Sequence, residues 1–169
     1  VHMNLARAYL SIRDLENAEK YAQLAIDIGR PVIAYNKATA YSILGQIALH
    51  KSDSSKAYDY FTQAIKTMPS FTQGFVGRAT SIIYFTKPLT DAAAGPATSD
   101  LMKAIQLDAN DTKAYLTLGD MKRLMGKNAE ATIHYLKAIA VLNNDLTIGL
   151  DQKDVTRQYI MDNLALVRK

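Results

Sequence analysis

Gly126 and Lys127, inside the stretch "LGDMKRLMGKNAEA" from Leu118 to Ala131, are residue types that grip phosphate in nucleotide-binding loops. Such a loop needs Gly, four residues and then Gly-Lys-Ser/Thr after a strand, so that successive backbone N–H groups surround the phosphates. Met121 stands where the first Gly belongs, and Asn128 follows Lys127. Gly126 suits the left-handed residue that ends a helix, so the pair reads as a turn. "DANDTKAYLTLG" places Asp108, Asn110 and Thr112 like the first ligands of a calcium loop. Lys113 and Gly119 then occupy the places that require Gly and Glu. Asp111 or Thr112 is better used as a helix N-cap.

The other reactive residue types are scattered. His2, His50 and His134 are the three histidines, and no two have the helix-face spacing of a zinc protease. No serine or threonine has a histidine and an acid grouped with it as a nucleophile would need. Glu16 with Glu19, and Asp53 with Asp59, read as exposed helix charges rather than acid/base pairs. There is no cysteine, which removes thiolate metal sites, disulfides and cysteine nucleophiles. No catalytic residue, metal site or cofactor is expected, so the chain is not expected to be an enzyme.

Composition narrows the remaining classes. Of 169 residues 49% are apolar, enough for a real core. Apolar runs break well before the roughly 18 to 20 residues that a bilayer requires, so no transmembrane segment is expected. A net charge of +4 with interspersed acids does not make a polyanion trap. Lys122, Arg123 and Lys127 are the densest basic group and read as a solvated helix face. A soluble protein without thiols suits cytoplasm and periplasm alike. Val1 begins the chain with no cationic flank, apolar core and cleavage site after it, so any targeting segment is expected to have been removed or to lie outside it.

The elements that carry these residues repeat. Gly119 to Ala131 is 12 residues and Ala131 to Ala138 is 7; Gly45, Ala57 and Ala64 keep the same offsets, as do Ala6, Ala18 and Ala25. A further copy carries six extra residues within "FTKPLTDAAAGPATS": Ala79 to Ala97 is 18, and Ala97 to Ala104 returns to 7. Leu44 to Leu118 is 74, two periods of 34 plus the same six. Repetition at this period means stacked supersecondary units. Large residues at i, i+3, i+4 and i+7 around the small ones make each segment an amphipathic helix. The small residues are expected to let the paired helix backbones approach to about 8 Å.

Here the chain resembles the tetratricopeptide-repeat (TPR) family: an aromatic, Leu-Gly, a small residue in the second helix, an aromatic, Ala and a closing Pro. Those places hold Tyr41, Leu44-Gly45, Ala57, Phe61, Ala64 and Pro69 in the second copy. In the fourth they hold Tyr115, Leu118-Gly119, Ala131, Tyr135 and Ala138, with Asn143 where Pro is usual. The first copy keeps Leu5-Ala6, Tyr9, Ala18 and Ala25, and the third has Phe75 but Arg78-Ala79 for Leu-Gly. The resemblance implies an all-α, right-handed solenoid of antiparallel helix pairs forming one domain over residues 1–169. Its repeats would cover 1–32, 38–71, 72–111 with an insertion near 86–96, and 112–145. "GRPVIAYNK" would lengthen a helix or turn between the first two. A capping helix near 152–168 would follow, with Val155, Tyr159, Leu164 and Val167 on one face; "MDNLALVRK" also echoes "MNLARAYL", so a truncated fifth repeat is the alternative.

In that family the first helices of successive repeats line a concave surface. The corresponding candidates are Arg7 and Leu10; Ser42, Gln46, Leu49 and His50; Gln73, Val76, Thr80, Ile83 and Tyr84; and Lys113, Leu116, Asp120 and Arg123. Members that hold an acidic chaperone C-terminus use a clamp of Lys, Asn, Asn, Lys and Arg, where this chain has Met3, Arg7, Ile43, Gln73 and Gly77. The expected partner is therefore a protein: a helix or extended peptide with an apolar stripe and a polar edge. Nucleic acid is not expected, since only Arg7, Lys113 and Arg123 bring positive charge to this face. The alternative reading is a structural piece of a larger envelope or secretion assembly.

Overall fold

The computed structural model describes residues 2–27, 34–144 and 149–167. Among these the helices are α1 (His2–Ser11), α2 (Leu15–Asp27), α3 (Ala34–His50), α4 (Ser54–Thr67), α5 (Thr72–Phe85), α6 (Asp91–Leu107), α7 (Thr112–Leu124), α8 (Asn128–Asn144) and α9 (Leu150–Val167), and no strand accompanies them. The chain forms two compact units, Val1–Phe85 and Thr86–Lys169, divided inside the stretch that the spacing marks as an insertion.

In the first unit each helix packs on the one before it, and the first helices α1, α3 and α5 also meet in succession. This is the nearest-neighbour packing of a solenoid. Its core joins Ala6, Ala18 and Ala22 to Ile43, Leu44 and Ile47, with Ala48, Ala57 and Phe61 beside them. Of the longer connection between the first two copies, Ala34 to Lys37 open α3; residues 28–33 lie outside the described residues.

In the second unit α7 pairs with α8, α6 packs on α7, and α9 packs on α8. The insertion lengthens the front of α6, where the Thr90 hydroxyl caps the helix by accepting the Ala93 N–H at 3.3 Å. Tyr135, Ala138 and Leu142 of α8 share a core with Ile160, Leu164 and Val167 of α9. Val155 and Tyr159, expected on that same face, lie exposed, and Ile160 takes their place. The seam against α8 is a narrow i, i+4, i+7 stripe, which leaves no room for the broad face expected from apolarity alone.

Arg13, Ser52 and Gly126 occupy equivalent places in three inter-helix turns, and all have positive φ, 59°, 59° and 73°. The next residue's N–H reaches five residues back in each: Asp14 to Tyr9, Asp53 to Ala48 and Lys127 to Lys122. This is the helix-ending motif that satisfies otherwise orphaned carbonyls. Gly126-Lys127 is thus a turn, and Asp111 is the N-cap of α7, accepting the Ala114 N–H at 3.0 Å.

Two of the small residues lie against aromatic rings. A Cβ at Gly45 would lie 2.8 Å from the Phe61 ring, and one at Gly119 2.5 Å from the Tyr135 ring. These glycines make room for an aromatic side chain of the second helix. In the third copy, where Leu-Gly is missing, Gly77 does the same from the other side, because its Cβ would collide with the Phe61 ring.

Candidate functional site

The residues expected to form a binding face divide between the two units. In the first, Arg7, Gln46, His50 and Tyr84 are exposed on α1, α3 and α5, while Leu10, Leu49, Gln73 and Thr80 are half-buried. Leu10 leans on the Ala6–Ala18–Ala22 core and Leu49 on the Phe61 core. The Thr80 hydroxyl donates to the Val76 carbonyl at 2.8 Å, and Val76 and Ile83 are buried. Ser42 is also buried, at 1% exposure, and its Oγ accepts a long 3.5 Å contact from the Gln46 amide. A serine tolerates that position because it is small and its hydroxyl can be satisfied locally.

In the second unit Lys113 is exposed, Leu116 packs on the Tyr135 core, and Arg123 is half-buried. Asp120 is buried, at 6% exposure, at the centre of a polar junction. It accepts the Tyr135 hydroxyl of α8 at 2.8 Å and the Tyr159 hydroxyl of α9 at 3.2 Å, while Arg123 Nε donates to the Tyr135 oxygen at 3.3 Å. Burial pushes the Asp120 carboxyl above its usual range, against the opposing pull of the two tyrosine donors and Arg123. Burial and the adjacent Asp120 carboxylate also push the Tyr135 phenol up, so it remains a proton donor. This junction was missing from the sequence reading. Its one available signal was a Tyr rather than a Phe at a core position, since a buried phenol needs a partner.

The basic group Lys122, Arg123 and Lys127 is more than a solvated face. Lys122 pairs with Glu130 of the neighbouring helix at 2.7 Å, and Lys127 reaches Asp91 of α6 at 2.6 Å. Glu19 similarly joins Lys51 across the first two repeats at 2.5 Å. Such exposed pairs are screened by solvent and chiefly favour one register. Burial, aided by the Lys122 charge, pulls His134 down. Among the described residues no group of three or more His, Asp or Glu could hold a metal, and no helix is long and apolar enough to cross a membrane.

Residues 1–28 match the family model for the tetratricopeptide repeat. Human protein O-mannosyl-transferase TMTC3 is 24% identical over 127 residues, covering 69% of this chain and 13% of that protein, so the chain spans a small part of the relative's length. Among solved structures, MamA superposes with a TM-score of 0.62 at 17% identity, over 87% of this chain and 80% of that one. The first TPR of Spaghetti (RPAP3), bound to the HSP90 peptide SRMEEVD, gives 0.57 at 21% identity, over 79% and 99%. The TPR2AB domain of yeast Sti1, in complex with pHSP90, gives 0.61 at 20% identity, over 99% and 69%. Residues 1–28 thus match one tetratricopeptide repeat, and the all-α fold of solved tetratricopeptide-repeat domains extends over most of the chain.

Proposed function

We propose that the chain is a non-catalytic protein-interaction scaffold that takes up a peptide or helix of a partner along the face formed by α1, α3 and α5. One observation carries this reading: these three first helices adjoin in succession, α1 on α3 and α3 on α5, and carry exposed Arg7, Gln46 and His50 along with half-buried Leu10 and Leu49. An apolar strip with a polar edge suits a segment that is itself apolar on one side. Related folds bound to HSP90 and Hsp70 peptides lend support to peptide capture as the type of work. The preferred ligand differs from theirs. At two of the places where family members carry clamp residues, Ile43 is in the core and Gly77 lies against the Phe61 ring. Neither can present a charged side chain to a carboxylate, so an acidic chaperone tail is a poor fit.

The test is capture of partners from native lysate by the unmodified chain and by the Arg7→Glu, Gln46→Lys double variant, with and without nuclease. Both positions are exposed, so folding should be unchanged by circular dichroism. The expected result is nuclease-resistant partners that the double variant loses. Equal recovery by both proteins would remove the face from consideration, and loss of all partners after nuclease would favour nucleic acid, with its steep salt dependence.

A further inference from the structure

Helix α8 buries Ala131, Tyr135, Ala138 and Leu142, and the opposite line of the helix is apolar as well. Ala129, Ile133, Leu136 and Ala140 follow at i, i+4, i+7 and i+11 and are all exposed, Ile133 by 65% and Leu136 by 50%. On the other second helices that line is polar. Counted from the small residues Ala18, Ala57, Ala97 and Ala131, α2 puts Glu16, Lys20, Gln23 and Asp27 there. Helix α4 puts Ser55, Asp59, Thr62 and Lys66, and α6 sets a lone Met102 among Gly95, Ser99 and Gln106. Single exposed aliphatic residues need no explanation, whereas a continuous stripe confined to one of four equivalent helices marks a surface for contact.

The stripe reads the same in both directions. About the midpoint between His134 and Tyr135, Ala129 mirrors Ala140 and Ile133 mirrors Leu136. A two-fold axis through that midpoint lays α8 of a second copy antiparallel to the first, Ile133 of each on Leu136 of the other and Ala129 of each on Ala140 of the other. Self-complementarity of this kind is what an isologous interface demands. The charges obey the same symmetry. Glu130 and Lys137 flank one side of the stripe, and the rotation brings Glu130 of one copy to within two residues, about 3 Å along the helix, of Lys137 of the other. Glu130 is held by Lys122 at 2.7 Å with half of its side chain still open, and Lys137 lies over the Tyr115 ring, so neither covers the stripe. A parallel arrangement would turn the Glu130–Lys137 side of one helix to the Thr132–Asn143 side of the other and form neither ion pair. We propose that the outer face of α8 is a two-fold interface between copies of this chain, α8 antiparallel to α8. A single helix seam falls short of the roughly 1,200–2,000 Å² of a standard interface, so the dimer should be weak, on the order of 10–100 μM.

Sedimentation equilibrium of the chain should show its mass rising with concentration from 18.7 kDa towards twice that value. Leu136→Lys should weaken association at least about tenfold and, because Leu136 is half exposed, should leave the thermal melt unchanged. Glu130→Lys should weaken it less, and adding Lys137→Glu should restore it, since the pair is then exchanged on both copies. Arg7→Glu should have no effect, which separates this interface from the α1–α3–α5 face. The chain has no cysteine, so orientation can be read by cross-linking. On oxidation the Ala129→Cys and Ala140→Cys chains should form a disulfide when mixed but not alone, because like sulfurs would lie about 16 Å apart along the seam. A chain still monomeric at about 1 mM, which would leave the stripe to a different protein, would overturn the proposal. So would association that Leu136→Lys does not change, or either cysteine variant cross-linking to itself as readily as in the mixture.

Discussion

Phe61 in the first unit and Tyr135 in the second stand at the same place of their repeats, and their surroundings differ by one oxygen and what it attracts. The Phe61 ring is held between Gly45 on one side and Gly77 on the other, a seat made of carbon. The Tyr135 ring meets Gly119 and shares a core with Ile160 and Leu164 of α9, and its hydroxyl joins Asp120, Arg123 and, through Asp120, Tyr159. Both seats bury a large ring almost completely. The ring is the common element that spaces the two helices of a repeat. The hydroxyl adds direction, since three helices must keep their rotation for its network to stay satisfied.

Removing the rings should do the most damage. Phe61→Ala and Tyr135→Ala should each cost about 3–5 kcal/mol in denaturant unfolding, because neither seat can collapse without moving a helix. A loss under about 1 kcal/mol at either seat would mean that the ring does not space its helices.

Exchanging the two ring types comes next. Tyr135→Phe leaves Asp120 with Tyr159 as its remaining tyrosine donor and should cost about 1–3 kcal/mol. Phe61→Tyr should cost a similar amount for the opposite reason, a buried hydroxyl with Gln46 and Leu49 where the second unit has Asp120 and Arg123. Adding Gln46→Asp to Phe61→Tyr should recover part of that loss. If Phe61→Tyr proves neutral by itself, the two seats are less distinct than their geometry indicates.

The turns give a smaller contrast of opposite sign. Gly126→Ala should destabilise by about 1 kcal/mol, whereas Ser52→Gly should stabilise by about 0.5–1 kcal/mol, since Ser52 already holds a left-handed backbone that disfavours a side chain. Thermal melts of the two variants check this.

Protonation offers a last way to separate the units. Burial raises the Asp120 carboxyl, so its contribution to stability is fully present below the ordinary value of 3.8 and is lost as pH rises through the raised folded value. Asp14, Asp53 and Asp91 are held low, chiefly by hydrogen bonds to Asn17, Lys56 and Lys127, and therefore act in the opposite direction. Comparing the unmodified chain with Asp120→Asn cancels those surface groups. The difference in unfolding free energy should move in favour of Asp120→Asn as pH increases from 3.8. A flat difference would mean that burial does not govern this carboxyl.

Much of the fold was legible because its signals are local and repeated. Equal offsets among Gly45, Ala57, Gly119 and Ala131 marked the helix pairs, and Gly126 marked a turn and Asp111 or Thr112 a cap, since dihedral preference and capping depend on a few adjacent residues. The candidate face was legible only in outline. Arg7, Gln46 and Lys113 are exposed as an open surface requires, but Ser42 and Asp120 carry polar side chains into the interior. Nothing in their immediate neighbourhoods distinguishes them from surface residues. Their burial depends on side chains that arrive from elsewhere, 39 positions away in the case of Tyr159 and Asp120.

By itself, then, the sequence determined that the chain makes paired helices, where they turn, and which faces are apolar, because periodicity and backbone preference act over single turns of helix. Tertiary structure alone decided that Gly45 and Gly119 face rings and that Asp120 joins three helices. Those outcomes depend on what a neighbouring helix brings to each position, and a pattern read along one strand of residues does not contain that neighbour.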